Sequence, residues 1–259
     1  MSSYLLPLLY QRFPESQSSN KGKKTDALGD VYEWLIIETF NNVSQLLRNP
    51  QALLEQDLIH RFFQKIGASI SCIQSVQATN AGIPRTANQG SPKTDVIISI
   101  TYIDGTTEIF PLSIKQSTRS IVAFAEYDVA TILSAVGITD PVIEALMNKH
   151  QTDASAKNFT PEEKRELTVQ LAPHADRFVR WAVTLSPIPC RGNISHPEYV
   201  IRFSLNSDFF LEEYNIYSID EYVRKITHRG ENRAIAGFGT GLSWTYATGS
   251  KGKKMQFKG

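Results

Sequence analysis

The sequence predicts an α/β fold, and three observations carry that prediction. Apolar residues recur at helical spacing across residues 28–43 and again across 53–66. Residues 96–102 and 107–115 are runs rich in β-branched and aromatic side chains on either side of Asp104-Gly105, which is the signature of a hairpin. Residues 199–205 and 210–217 repeat the strand pattern late in the chain, after a stretch punctuated by helix-start signals.

A chain of 259 residues with 41% hydrophobic content can bury a sizeable core as one large domain or two small ones. We take residues 1–259 as a single domain. Nothing approaches the roughly twenty apolar residues of a membrane helix, and the amino-terminal residues lack the basic-then-apolar pattern of a leader. The expectation is a cytoplasmic protein with no membrane partner. Cys72 and Cys190 lie far apart without a metal-type spacing, so they are expected to be buried apolar fillers.

Residues 1–25 are expected to be an arm, polar from residue 11 onward, in which Lys21, Lys23 and Lys24 are candidates to touch phosphate. Val31, Tyr32, Leu35, Ile36, Phe40 and Val43 then define a helix with Asp26 as its cap. Leu53, Leu54, Leu58, Ile59, Phe62, Phe63 and Ile66 define a second, within which His60 reads as packed or solvated. Residues 70–76 suit a short strand. Residues 78–94 hold turn formers and almost no large apolar groups, and form a long loop, a place where function concentrates. Its one arginine, Arg85, is either a backbone contact or simply solvated.

Residues 126–136 read as a helix, and Asp140-Pro141 starts another. Thr160-Pro161-Glu162-Glu163 is a capping box with proline at the first helical position. Pro173 closes that helix, and residues 176–181 begin an element that runs into a strand through Leu185. Ser218 caps a last helix through Ile226.

The hairpin carries the chemistry. A loop of two or three residues near Gly105 places Asp95 opposite Ile114 or Lys115, and Ser113 shares a face with Lys115 because side chains alternate along a strand. An acid entering one strand, with a polar residue, a spacer and a lysine at the end of the next, is the layout of the PD-(D/E)xK nucleases. In that layout oxygen ligands hold a divalent metal at the scissile phosphate, and the lysine helps to generate or orient the attacking hydroxide. The same pattern occurs by chance, and a lysine at a strand end is commonly a solvated edge guard.

Longer stretches carry a resemblance. GSPKTD (90–95), PLSIK (111–115), AEYDV (125–129), KHQTDASAKNFTP (149–161), RFVRWAVTL (177–185) and GFGTGLSWTYATGSKGKKMQFKG (237–259) resemble the MspI family of type II restriction endonucleases, with ALGDVYEW (27–34) a looser match. The resemblance implies a restriction-endonuclease-like core, a mixed β-sheet flanked by helices. It also implies Mg²⁺-dependent hydrolysis of double-stranded DNA at CCGG, cut after the first cytosine of each strand.

Asp95, Ser113 and Lys115 then take the catalytic positions, with Asp95 and Ser113 at the metal. Ser113 is a departure, since the family carries asparagine there and the wider superfamily glutamate or aspartate. A hydroxyl is a neutral and weaker ligand for a hard cation. Glu33 in the first long helix is a candidate further metal ligand, with a surface glutamate as the alternative.

Residues 237–259 become a basic DNA-recognition segment. From residue 221 onward the chain has eight Lys or Arg (Arg224, Lys225, Arg229, Arg233, Lys251, Lys253, Lys254 and Lys258) against Glu221 and Glu231. The lysines are interleaved with Trp244, Tyr246, Met255 and Phe257, which a disordered tail has no reason to carry. By the resemblance, Thr245, Thr248, Ser250, Gln256 and Lys258 include base readers, and Lys251, Lys253 and Lys254 lie nearer phosphate. Arg119, which follows the hairpin closely in the chain, is expected as a phosphate contact beside the catalytic group. A cognate DNA methyltransferase and a monomer or weak dimer are the implied partners.

No HExxH, GxxxxGK(S/T) or GxSxG occurs, the histidines have no metal spacing, and residues 237–241 lack the strand and helix of a nucleotide loop, so no nucleotide cofactor is expected. Two alternatives remain: a mismatch-type nicking nuclease on the same scaffold, and a DNA-binding protein without catalysis.

Overall fold

The structure, a computed structural model, describes residues 2–86, 91–232 and 237–259. Its contacts group into two compact units, Met1–Thr118 with Arg191–Ser218, and Arg119–Cys190 with Ile219–Gly259. The sequence reading treats the chain as one domain. Each unit gathers its own cluster of buried side chains, which is the physical basis of the division.

In the first unit the helices are α1 (Leu5–Arg12), α2 (Lys21–Asn41), α3 (Val43–Leu46) and α4 (Leu53–Ile66). Its strands are β1 (Ile73–Thr79), β2 (Val96–Tyr102), β3 (Thr107–Ser117), β5 (Tyr199–Leu205) and β6 (Leu211–Ser218); β4 (Ala123–Tyr127) belongs to the second unit. The five strands form one sheet in the order β1-β2-β3-β5-β6. Every pairing is antiparallel except β3 with β5, which is parallel and therefore needs a long crossover. The sheet is mixed, as the resemblance implies.

Aromatic contacts tie helices to this sheet. Tyr32 of α2 stacks on Phe203 of β5 with ring centroids 4.4 Å apart, and Phe62 of α4 meets Phe110 of β3 edge-on at 5.9 Å. Both Tyr32 and Phe62 are fully buried.

The expected arm is helical instead. α1 buries Leu5, Leu6 and Leu9, an apolar stripe present in LLPLLY ahead of the polar residues that begin at 11. The buried carboxylate of Glu55 satisfies the start of α1, accepting from the Leu5 backbone N–H at 2.9 Å and from the Ser3 hydroxyl. α2 begins at Lys21 under an Asn20 cap that accepts from the N–H of Gly22 and Lys23, so Asp26 lies inside the helix. His60 is exposed, in line with the reading of it as solvated.

The second unit holds α5 (Val129–Val136), α6 (Pro141–Asp153), α7 (Pro161–Leu171), α8 (Ala175–Thr184), α9 (Ile219–Asn232), β7 (Ser243–Thr245) and β8 (Met255–Lys258). β4, β8 and β7 form a three-stranded antiparallel sheet. Phe257 of β8 packs edge-on against Phe178 of α8 at 5.2 Å and against Trp244 of β7 at 5.8 Å.

Glu126, expected to open a helix, lies in β4; the helix starts three residues later, where Asp128 accepts from the Thr131 N–H at 2.9 Å. The Thr160 capping box and the Asp140 cap form as expected. Residues 176–184 stay helical, and α8 ends at Leu185 in the left-handed region (φ 61°), so no strand forms there. Cys72 is exposed and Cys190 half-buried, its thiol donating to the Ser186 hydroxyl oxygen at 3.0 Å; neither is the buried filler expected. Cys72 ends a short 3-10 helix, Ile70–Cys72, and Cys190 lies in irregular chain after α8.

The glycines at 237–241 make a tight turn. A Cβ on Gly237 (φ 64°) would lie 1.7 Å from the Leu242 carbonyl oxygen, so only glycine fits. Arg233 lies outside the described residues, as do the side chains of Thr248 and Glu231. Among the described residues, no helix is long and apolar enough to cross a membrane.

Candidate active site

The hairpin between β2 and β3 builds the site. Val96 pairs with Leu112, and the N–H of Asp95 extends the ladder by donating to the Leu112 carbonyl at 2.8 Å. Asp95 therefore stands opposite Ser113, one or two positions from the expected register. The reason is the turn: Tyr102 closes on Thr106 at 2.8 Å around Ile103, Asp104 and Gly105, with Gly105 at φ 84°. That loop centres on Asp104, one residue earlier than a loop centred on Gly105.

The shifted register still brings the expected groups together. Asp95 Oδ2 accepts from the Ser113 hydroxyl at 3.0 Å, the Ile114 N–H at 2.6 Å and Lys115 Nζ at 3.0 Å. Lys115 Nζ also donates to the Ile114 carbonyl at 3.0 Å. Ser113 is buried, while the Asp95 and Lys115 side chains keep 22% and 19% exposure, enough to meet a substrate. Three donors on one oxygen fix the carboxylate's rotation and leave its partner oxygen aimed elsewhere. Among the described residues, Oδ1 of Asp95 accepts from none.

Glu33 on α2 is half-buried, and its carboxyl is pushed up to about 7, first by burial and then by the negative charges of Asp95 and Asp30, against the pull of Lys115. Glu33 thus senses the Asp95 charge. Lys93 was missed by the sequence reading. Its ammonium is pushed down to about 8 by burial and by Lys115, with Asp95 opposing. The signal was present in PKTD, two residues before the aspartate. Ser195 anchors the chain at Pro84 and at Lys93, its hydroxyl donating to the Pro84 carbonyl at 3.0 Å and its backbone carbonyl accepting from the Lys93 N–H at 3.3 Å.

Among the described residues, no group of three or more His, Cys, Asp or Glu side chains is placed to hold a metal. The oxygen donors that are present still suit a hard divalent cation. Asp95 keeps an open oxygen, Ser113 gives its proton to Asp95 and retains lone pairs, and Glu33 is held back from ionising first by burial and then by the negative charges of Asp95 and Asp30. A cation there would offset the like charge that Asp95 and Asp30 impose on Glu33.

The model of the restriction endonuclease MspI family matches residues 14–259. The chain belongs to this family. It is accordingly a type II site-specific deoxyribonuclease, a class that generally needs a divalent metal. Type II restriction enzyme MspI of Moraxella sp is 40% identical over the whole of both chains. Type II restriction enzyme BsuFI of Bacillus subtilis is 26% identical over 97% of this chain, which spans 64% of that longer protein. A crystal structure of MspI in complex with its cognate DNA superimposes with a TM-score of 0.90 over all of both chains. The restriction-endonuclease-like fold follows from that match.

The expected recognition residues of this MspI-family chain lie on and beside the small sheet of the second unit. Met255 and Phe257 point into its core, while Gln256 and Lys258 alternate to the other face. The Thr245 hydroxyl donates to Oε1 of Gln256 at 3.3 Å, and Ser250 donates to the Glu126 carboxylate. Lys251, Lys253 and Lys254 are exposed in the turn before β8, where the Lys253 and Lys254 N–H groups donate to the Ser250 carbonyl at 2.9 Å. Arg119 is exposed in the segment after β3. Among the amino-terminal lysines, Lys24 rests over the Phe209 ring at 4.6 Å and Lys23 pairs with Glu15 at 3.3 Å.

Proposed function

We propose that this chain hydrolyses phosphodiester bonds in double-stranded DNA at CCGG, cutting after the first cytosine of each strand, with Mg²⁺ as the metal. The observation carrying the reading is the convergence of Ser113, Ile114 and Lys115 on a single Asp95 oxygen in a chain of this family.

Asp95, the Ser113 oxygen and Glu33 would hold Mg²⁺, which would polarise the scissile phosphate and offset its growing charge. Lys115 Nζ, fixed by Asp95 and the Ile114 carbonyl, orients the attacking water and favours its hydroxide form through its positive charge. Contacts along the duplex hold phosphorus for in-line attack. Lys93 adds a second ammonium for the phosphate.

In the recognition segment, lysine suits the paired acceptors of guanine in the major groove. Thr245, Thr248, Ser250, Gln256 and Lys258 are the base-reading set, while Lys251, Lys253, Lys254 and Arg119 contact phosphate. The protein would act in a bacterial or archaeal cytoplasm as a monomer or weak dimer, beside a DNA methyltransferase of the same specificity.

The test is digestion of a CCGG-containing plasmid and of a CCGG-free control, with Mg²⁺ and with EDTA. Mg²⁺-dependent double-strand cuts whose ends begin after the first cytosine support the reading. Nicks in one strand only would favour the mismatch-type alternative, and binding without cutting under any divalent metal would favour a non-catalytic binder.

A further inference from the structure

The recognition surface contains an acid that its basic composition does not explain. Glu126 of β4 pairs across the sheet with Gln256 of β8, which pairs in turn with Thr245 of β7. Directly paired residues share a face, so Glu126, Gln256 and Thr245 form one row across the strands. The neighbouring row, Ala125 with Phe257, is buried beneath. Glu126 is half-buried, its Oε1 accepts from the Ser250 hydroxyl, and among the described residues nothing donates to its Oε2.

We propose that Glu126 is a base-reading residue that accepts from the exocyclic amino group of a target cytosine. The inference rests on the recognition role proposed for residues 237–259. A carboxylate is repelled by phosphate, so on a DNA-facing row it cannot serve as a phosphate contact; what it can recognise is a donor on a base edge. In the major groove of a C·G pair that donor is the cytosine N4 amino group, beside the O6 and N7 acceptors of guanine. The row offers the complement. Glu126 supplies the acceptor, and Gln256, its Oε1 already engaged by Thr245 at 3.3 Å, presents its amide N–H groups as donors beside it. Thymine, with O4 in place of the amino group, would set an acceptor against the carboxylate and be rejected. The Ser250 hydroxyl holds the carboxylate to one rotamer, which lowers the entropy lost on reading.

The experiment measures single-turnover cleavage of CCGG duplexes in which the first or the second cytosine is replaced by the pyrimidin-2-one analogue lacking the 4-amino group. The unaltered chain is compared with its Glu126→Ala, Glu126→Gln and Gln256→Ala variants. The unmodified protein should lose about ten- to a hundredfold at one cytosine position, the usual range for one good base contact. Glu126→Ala should cut the natural site more slowly by a similar factor and show no further loss with the analogue at that position. Glu126→Gln, which keeps the shape, should show a reduced analogue penalty at the same position and so carries the test if the alanine variant folds poorly. An undiminished penalty at both cytosines in both Glu126 variants would overturn the proposal. If Gln256→Ala then still changes discrimination at a base pair of the site, only Glu126 is refuted. If it does not, the recognition role of the segment fails with it.

Discussion

The hairpin proposed as catalytic and the sheet proposed for recognition are both small β constructions carrying polar groups on one face, but they are assembled over different distances along the chain. Asp95, Ser113 and Lys115 come from two strands joined by a three-residue turn, and the turn itself brings them together. The recognition face needs β4 at residues 123–127 to find β8 at 255–258, with most of the second unit's helices between them. A local hairpin holds its geometry through its own ladder, whereas a sheet of distant strands depends on the core beneath it. Chemistry in the first should respond to changes in charge, and specificity in the second to changes in packing as well.

The largest expected effect lies in the hairpin. Asp95→Asn and Lys115→Met should each lower single-turnover cleavage by about 10²–10⁴-fold, while binding to CCGG duplexes and the folding midpoint stay near those of the unaltered chain. A comparable loss of binding would mean that the hairpin also holds the recognition surface, and the contrast would break.

Phe257→Ala tests the other side. It removes a fully buried ring that packs against Phe178, Trp181 and Trp244. The cost should be about 3–5 kcal/mol of stability, read by denaturant unfolding, with DNA selectivity degraded along with it. Unchanged selectivity in the folded fraction would show that the polar face does not depend on its core.

His150 sharpens the contrast through pH. It is buried among Phe159, Phe238, Trp244 and Tyr246, and burial pushes its imidazole down to about 4 from an ordinary 6.5. The folded second unit therefore prefers the neutral ring. Its contribution is complete above about 6.5 and is lost as the pH falls through about 4, up to about 3 kcal/mol at 1.36 kcal/mol per unit. Tryptophan fluorescence should report loosening around Trp244 across that window, and His150→Phe should flatten the dependence.

A smaller effect separates readers from positioners. Lys258→Ala should relax selectivity between CCGG and single-base variants by about 1–3 kcal/mol, whereas Lys253→Ala should weaken all duplexes alike and flatten the salt dependence. The smallest effect is structural: Thr160→Ala removes the α7 capping box and should cost about 1 kcal/mol of stability with cleavage unchanged.

What the sequence could settle was whatever depends on near neighbours. The cap at Asp140, the box at Thr160, the strand at Tyr199–Leu205 and the meeting of Asp95 with Lys115 all follow from spacing or turn chemistry within some twenty residues. Even there the turn was centred one residue off, which moved Asp95 from Ile114 or Lys115 to face Ser113; the side chains met anyway because a lysine is long enough to reach back. What remained hidden were contacts with no local signature. Glu55 of α4 holds the start of α1, so a segment that reads as an arm becomes a packed helix. Glu126 becomes a strand residue because β8 offers it a ladder, against a helical pattern immediately downstream. Lys93 and Glu33 acquire their altered proton affinities only once burial and the charges of distant segments surround them. Periodicity, caps and turns are properties of a few consecutive residues and can be read from them; burial, electrostatic coupling and pairing between remote strands are decided by the completed fold, because the energies that favour them do not exist until those segments meet.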